Sequence, residues 1–375
     1  MDAREVMTRN KEKVSVAFAA IDKKIETTIP SFEESDVRGK DYVTWGKQNE
    51  IPEYLWDLYL SVSTLKTIVD GTSDFVAGND CKCNVQGFDM EMNKKGDTLF
   101  EIVRLCARDW NIYGSYALQI IRNKAGNVGE IYYIDARYLR TNKENTLFWY
   151  SEEYSKKYAR SNKTIVYPKF VPEAKDIPSS IFYAKNEKSH VYGIPKYSGS
   201  IKACEMERHI DEFHLAAIEN GFGASYIINF LNGIPSDEQK AEIERNMTEK
   251  FAGASNAGRM MLNFADTKDN AATVEKLDIT DFGDKYKAAA ARSREQIFCS
   301  FRAVPAIFGL MTESKGFAEE EFEQAFRLYN RTAVKPIQRV IADGFDKIFG
   351  MKDSITIDAF TIDEEKTNND EQIAE

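Results

Sequence analysis

Three histidines, His190, His209 and His214, are where proton transfer or metal binding would be sought first, because imidazole changes charge near neutral pH. His209 and His214 lie five residues apart. On a helix that spacing is about 500° around the axis, so they lack the shared face of an i, i+4 metal pair. Cys204 precedes His209 by another five residues and fails in the same way. The five cysteines are Cys81, Cys83, Cys106, Cys204 and Cys299. Their one close pair, Cys81 and Cys83, has no second pair to complete a structural zinc site, so they read as reduced thiols. Neither a Gly-x4-Gly-Lys-Ser/Thr loop, nor a Gly-x-Ser-x-Gly elbow, nor a His-Glu-x-x-His motif occurs. Gly221-Phe222-Gly223 follows a helical pattern rather than a strand and reads as a helix stop. Glu319-Glu320-Glu321 with Glu323 is dense in carboxylate, but acids in a helix's first turn are favoured by the macrodipole. No catalytic site, metal or cofactor is therefore expected.

Charge placed along helices is the remaining chemistry. Residues 281–304 read as a helix bearing Lys285, Arg292 and Arg302 along roughly one stripe, with Lys287 and Arg294 beside it. That segment nets +2, whereas 200–220 nets −3. Two long helices of opposite sign can pair within a subunit or between subunits. The whole chain of 375 residues carries −10. Residues 353–375 hold eight acids and one base, so the body is close to neutral and the end is acidic and reads as solvated. Wrapping of DNA by bulk attraction is excluded, since counterion release needs clustered Lys and Arg. A DNA partner that must slide is not.

The elements that position these residues follow from periodicity. Leu55, Leu58, Tyr59, Val62, Leu65 and Val69 recur at helical spacing after Pro52, with Gly71 or Gly78 as the stop. Glu101–Asn111 reads as a further helix. Tyr116–Ile121 and Val128–Ile134 flank Lys124-Ala125-Gly126-Asn127 as a β-hairpin, and 146–150, 163–168 and 181–184 are strand candidates. A long helix over Ser200–Asn220 leads into a small αβ unit, 221–280. That unit has strand candidates at 224–231, 259–264 and 273–277, and a Ser236–Gln239 capping box. The second long helix is expected from about Asp281 to Phe301, with Val304-Pro305 ending it. A last helical pattern, Ala318–Phe349, should kink at Pro336. An amphipathic stretch at Val14–Ile25 lies in a polar N-terminal arm. No run approaches the ~18 apolar residues of a membrane span, so no membrane partner is expected.

The fold class is mixed α+β and helix-dominant, and the order of segments resembles the portal proteins of tailed bacteriophages, the head-to-tail connectors. The resemblance spans roughly residues 45–350. It rests on WGKQNEIPEYLWDLYLSVSTLKTIVDGTSDFVAG, YGSYALQIIRNKAGNVGEIYYIDARYLR and YGIPKYSGSIKACEMERHIDEFHLAAIENGFGASYIINFLNG in that order. SDEQKAEIERNMTEKFAGASNAGRMMLNF, REQIFCSFRAVPAIFGL and FEQAFRLYNRTAVKPIQRVIADGF follow.

Such a likeness implies a ring, typically of twelve subunits, at one capsid vertex of the virion, assembled in the host cytoplasm, with double-stranded DNA in its channel. It implies an arm at 1–40, a wing at 41–195 and stem helices at 196–220 and 281–305. A clip at 221–280, a tunnel-loop region at 306–321, a kinked wing or crown helix at 322–350 and an acidic tail at 351–375 complete the plan. Lys315, the only base of the tunnel loop, would face DNA, and Lys285, Arg292 and Arg302 would line the channel. Ser236, Glu238, Lys240, Glu242, Arg245 and Lys250 would form a docking surface for the large terminase and the head–tail adaptor. A major capsid or scaffolding protein is a further expected partner. The alternatives are a capsid or connector protein without a DNA channel and, less favoured, a metal-dependent phage enzyme.

Overall fold

A computed structural model describes residues 29–36, 41–155, 164–219, 226–230, 236, 238–239, 242–243, 260–264, 280–310 and 319–361. The candidate helix at 14–25, the strand at 273–277 and Lys315 lie outside the described residues. Packing distinguishes two units. One comprises Thr28–Met206 with Ala291–Glu375; the other includes Glu207–Ala290.

In the first unit a short hairpin, β1 (Glu34–Asp36) with β2 (Val43–Trp45), precedes two helices. These are α1 (Ile51–Ser61), opened by Pro52, and α2 (Ser63–Ala77), stopped by Gly78. The single periodic pattern thus splits at Val62, whose extended backbone breaks the helix. After β3 (Asp80–Cys83), α3 (Leu99–Tyr113) starts two residues earlier than expected. Thr98 and Glu101 form a reciprocal capping box there, a signal legible in T-L-F-E.

A three-stranded antiparallel sheet follows, with β4 (Ser115–Arg122) between β5 (Val128–Ile134) and β9 (Ser179–Lys185). The β4–β5 turn is set by Asn123, whose side-chain oxygen accepts from the Ala125 and Asn127 amides, while Gly126 takes φ +80°. Between β5 and β9 in sequence, β6 (Leu139–Thr141), β7 (Leu147–Tyr150) and β8 (Ile165–Pro168) make a second antiparallel sheet. Arg140 is wholly buried and donates to Asn49 and to the Arg137 and Leu139 carbonyls, tying this sheet to the segment before α1.

Four later helices complete the frame of long elements. α4 spans Ile201–Glu219 and α5 spans Thr280–Phe301; α6 (Glu319–Tyr329) continues through a π-turn, Asn330–Val334, into α7 (Lys335–Phe349). The expected interruption at Pro336 is therefore a change of helical winding. Proline has no N–H for the i−4 carbonyl, and the chain registers instead through the Lys335 N–H bonding to Asn330 O. Ile337, Ile341, Phe345 and Ile348 of α7 are buried in one core with α3 residues Ile102, Val103 and Cys106 and with Tyr116 and Ile120 of β4.

The C-terminal region departs from a solvated end. β12 (Ile355–Asp358) pairs antiparallel with β3, and Ile355 is buried. Alternate apolar residues, Ile355 and Ile357, outweigh the acids there, because a strand needs only one apolar face.

Candidate DNA-facing and partner-docking surfaces

The two long helices begin and end in a shared core. Ile201 and Cys204 of α4 and Ile297, Phe298 and Phe301 of α5 are buried with Leu55, Leu58 and Leu65. The Ser200 hydroxyl donates to Gln296 O at 3.0 Å, and Tyr197 stacks on Phe301 with ring centres 5.7 Å apart. Farther along, within the second unit, Phe213 stacks on Tyr286 at 4.8 Å. Helices of opposite charge are thus neighbours inside one chain at Ser200–Gln296 and at Phe213–Tyr286.

Arg292 and Arg294 are exposed on α5, and Lys287 is exposed in the turn before them. Lys285 lies on the same helix, with its side chain outside the described residues. Arg302 corrects the expected stripe. The helix ends at Phe301, as expected, and Arg302 lies beyond it with φ +55°. The Arg302 N–H bonds to Cys299 O and the Ala303 N–H to Phe298 O, both at 3.0 Å. This is the paired bonding of a Schellman stop, with arginine where glycine is usual. Pro305 instead opens a short 3₁₀ turn, Pro305–Phe308. The exposed Arg302 guanidinium also sits close enough to half-buried Lys196 to repel it. Burial first, and that repulsion second, lower the Lys196 ammonium to about 8.

In the second unit, β10 (Tyr226–Phe230) and β11 (Met260–Phe264) pair in parallel, Tyr226 against Met260 through Phe230 against Phe264. Parallel neighbours require a crossover connection. The Ser236 box lies within it, since the Gln239 N–H donates to Ser236 Oγ and the Ser236 N–H to Gln239 Oε1. Ser236, Glu238 and Glu242 are exposed; Lys240, Arg245 and Lys250 lie outside the described residues. Among the described residues no group of three or more His, Cys, Asp or Glu converges on a point where a metal ion could sit. No described helix is long and apolar enough to cross a membrane.

A family model for phage portal proteins matches residues 92–369, close to three quarters of the chain. The chain belongs to the phage portal protein family. Two solved structures share the fold at low identity. One comes from the neck of a native gene transfer agent particle computed with C12 symmetry (TM-score 0.51, 15% identity, 82% of this chain and 84% of that one). Another comes from the neck of an empty particle computed with C6 symmetry (TM-score 0.54, 12% identity, 85% of each chain). A curated relative, an uncharacterized protein of Rickettsia bellii, is 24% identical over 186 residues. This portal-family chain spans about half the length of that relative, 46%, in the match.

One basic surface of this portal protein escaped the sequence reading. Arg327, Arg331, Lys335 and Arg339 line a single cleft of about 650 Å³ on α6, the π-turn and α7. Its signal was a spacing of four with no acid between Glu323 and Asp343.

Proposed function

We propose that this chain is the structural subunit of a portal ring that forms the DNA channel at one capsid vertex, serving packaging and ejection. The carrying observation is α4 itself, in a chain of this family. Residues 211–215 are all exposed, and Phe213 and Leu215 are 49% and 57% exposed. A helix that leaves large apolar residues half open to solvent calls for a further surface to cover them, and neighbouring copies in a ring supply one. In this reading α4 and α5 are the stem, 221–280 the clip, 41–195 the wing, and 306–321 the tunnel-loop region. The arm at 1–40 and the end beyond 351 flank them. Lys315, Lys285, Arg292 and Arg302 contact the passing duplex. Few and separated bases suit a conduit, because each phosphate contact adds to binding and slows sliding. The subunit works without cofactor or catalytic turnover.

The clip surface, with Ser236, Glu238, Lys240, Glu242, Arg245 and Lys250, docks the large terminase during packaging and the head–tail adaptor afterwards. The wing meets the major capsid or scaffolding protein. The assembled ring resides in the virion after assembly in the host cytoplasm. Mass photometry and negative-stain images down the symmetry axis test the reading. The expected particle is a ring, typically of twelve subunits, with a bore wide enough for a duplex. A lone subunit, or a closed assembly without a bore, overturns it. E238K/E242K should abolish terminase or adaptor binding while rings still form; loss of the ring would count against the clip assignment.

A further inference from the structure

The last helical pair carries a charge pattern that the channel does not use. From Gln324 to Ala342 there is no acid and there are four bases, Arg327, Arg331, Lys335 and Arg339, in a chain of net charge −10. Each base follows the last by four residues. In an unbroken α-helix such steps drift by about 40° each, leaving Arg327 and Arg339 about 120° apart. The π-turn Asn330–Val334 removes most of that drift. It absorbs one extra residue, so the separation behaves as about eleven residues, three turns plus roughly 20°. The four bases accordingly line one cleft of about 650 Å³, together with Asn330 and Pro336.

All four side chains are exposed. Arg327 is paired with Glu323 at 2.9 Å. Arg331, Lys335 and Arg339 have no ion-pair or hydrogen-bond partner among the described residues. Like charges four apart on a helix repel, so the row is a standing cost to the folded chain unless a polyanion offsets it. Single π-turns are rare and concentrate at functional sites.

We propose that this row binds the phosphate backbone of double-stranded DNA, independently of Lys315 and of the bases on α5. The inference rests on the portal reading for the presence of DNA. Three guanidinium groups offer planar forks that match phosphate oxygens. Successive bases rise about 6 Å along the helix, close to two of the ~3.4 Å axial steps between phosphates of one strand. A regular row of cations fits a polymer of regular charge better than a peptide of irregular sequence. Contact to phosphate alone carries no base preference.

The test uses the full-length assembled protein and a short labelled duplex, with anisotropy titrations between about 50 and 200 mM salt. R331Q/K335Q/R339Q should weaken binding and flatten the plot of log affinity against log salt by about 2.7 per engaged subunit, at ~0.9 per phosphate. Across that salt range the slope difference corresponds to about 40-fold in affinity. R331K/R339K should keep the wild-type slope, and unfolding midpoints no lower than wild type would show that both variants fold. An unchanged slope in the triple variant overturns the proposal. So does intact duplex binding alongside lost binding of a synthetic acidic peptide covering residues 362–375. If wild-type particles lack a bore, the portal reading falls, while the slope comparison still decides the phosphate row.

Discussion

Replacing Arg302 by glycine and, separately, by alanine separates the backbone of the α5 stop from its charge. Arg302 holds φ +55° immediately after the helix, a conformation that costs a residue with a Cβ about 1–2 kcal/mol. Glycine removes that cost but gives the unfolded chain more freedom, which takes back about 0.5–1 kcal/mol. Both variants lose the same guanidinium, and with it the same repulsion on Lys196 and the same favourable charge at a helix C-terminus. The difference between them is therefore backbone alone. R302G should be more stable than R302A by about 0.5–1 kcal/mol. Urea unfolding followed by far-UV circular dichroism reads this as a higher midpoint at equal slope. In a thermal scan it amounts to about 1–2 °C for a unit of this size. If R302A equals or exceeds R302G, Arg302 is not held in the left-handed region, and the helix does not stop there. A charged residue kept at a strained position is a reason to look for its use in the surface rather than in the stop.

Three other outcomes follow from packing and charge. A Cβ at Gly344 would clash with Tyr116 Oη and stand 3.1 Å from Phe182. G344A should cost about 1–3 kcal/mol in chemical unfolding, because α7 must move off the sheet. Asp109 is wholly buried, and burial pushes its carboxyl up to about 7, with Asp135 adding to the shift and Arg108 and Tyr133 opposing it. The folded state then holds a proton that the unfolded state releases near pH 4, so this group's contribution to stability falls as pH rises from about 4 to 7. D109N should flatten stability over that window; an unaltered pH profile would show that Asp109 does not titrate there. T98A removes the α3 capping box and should lower stability by about 1 kcal/mol, read as a shift in urea midpoint.

Local chemistry was legible from residue order wherever one element answers to its own residues. Apolar spacing placed α3, α4 and α5, alternation with a Gly-Asn turn placed β4 and β5, and Ser236 with Gln239 placed the crossover cap. The absence of any nucleophile, base or metal pattern directed attention to charge on helices, and the order of segments indicated the portal family. Some features depend on partners far along the chain. The strand at 355–358 exists through its ladder with Asp80–Cys83, more than 270 residues earlier, and no local rule distinguishes it from an acidic end. The left-handed turn at Arg302 rests on two backbone bonds that a residue type does not announce. The alignment of Arg327, Arg331, Lys335 and Arg339 came from an irregular turn. A spacing of four spirals slowly around a regular helix, and only the extra residue wound into Asn330–Val334, with both flanking helices held in the core, brings the four charges into line.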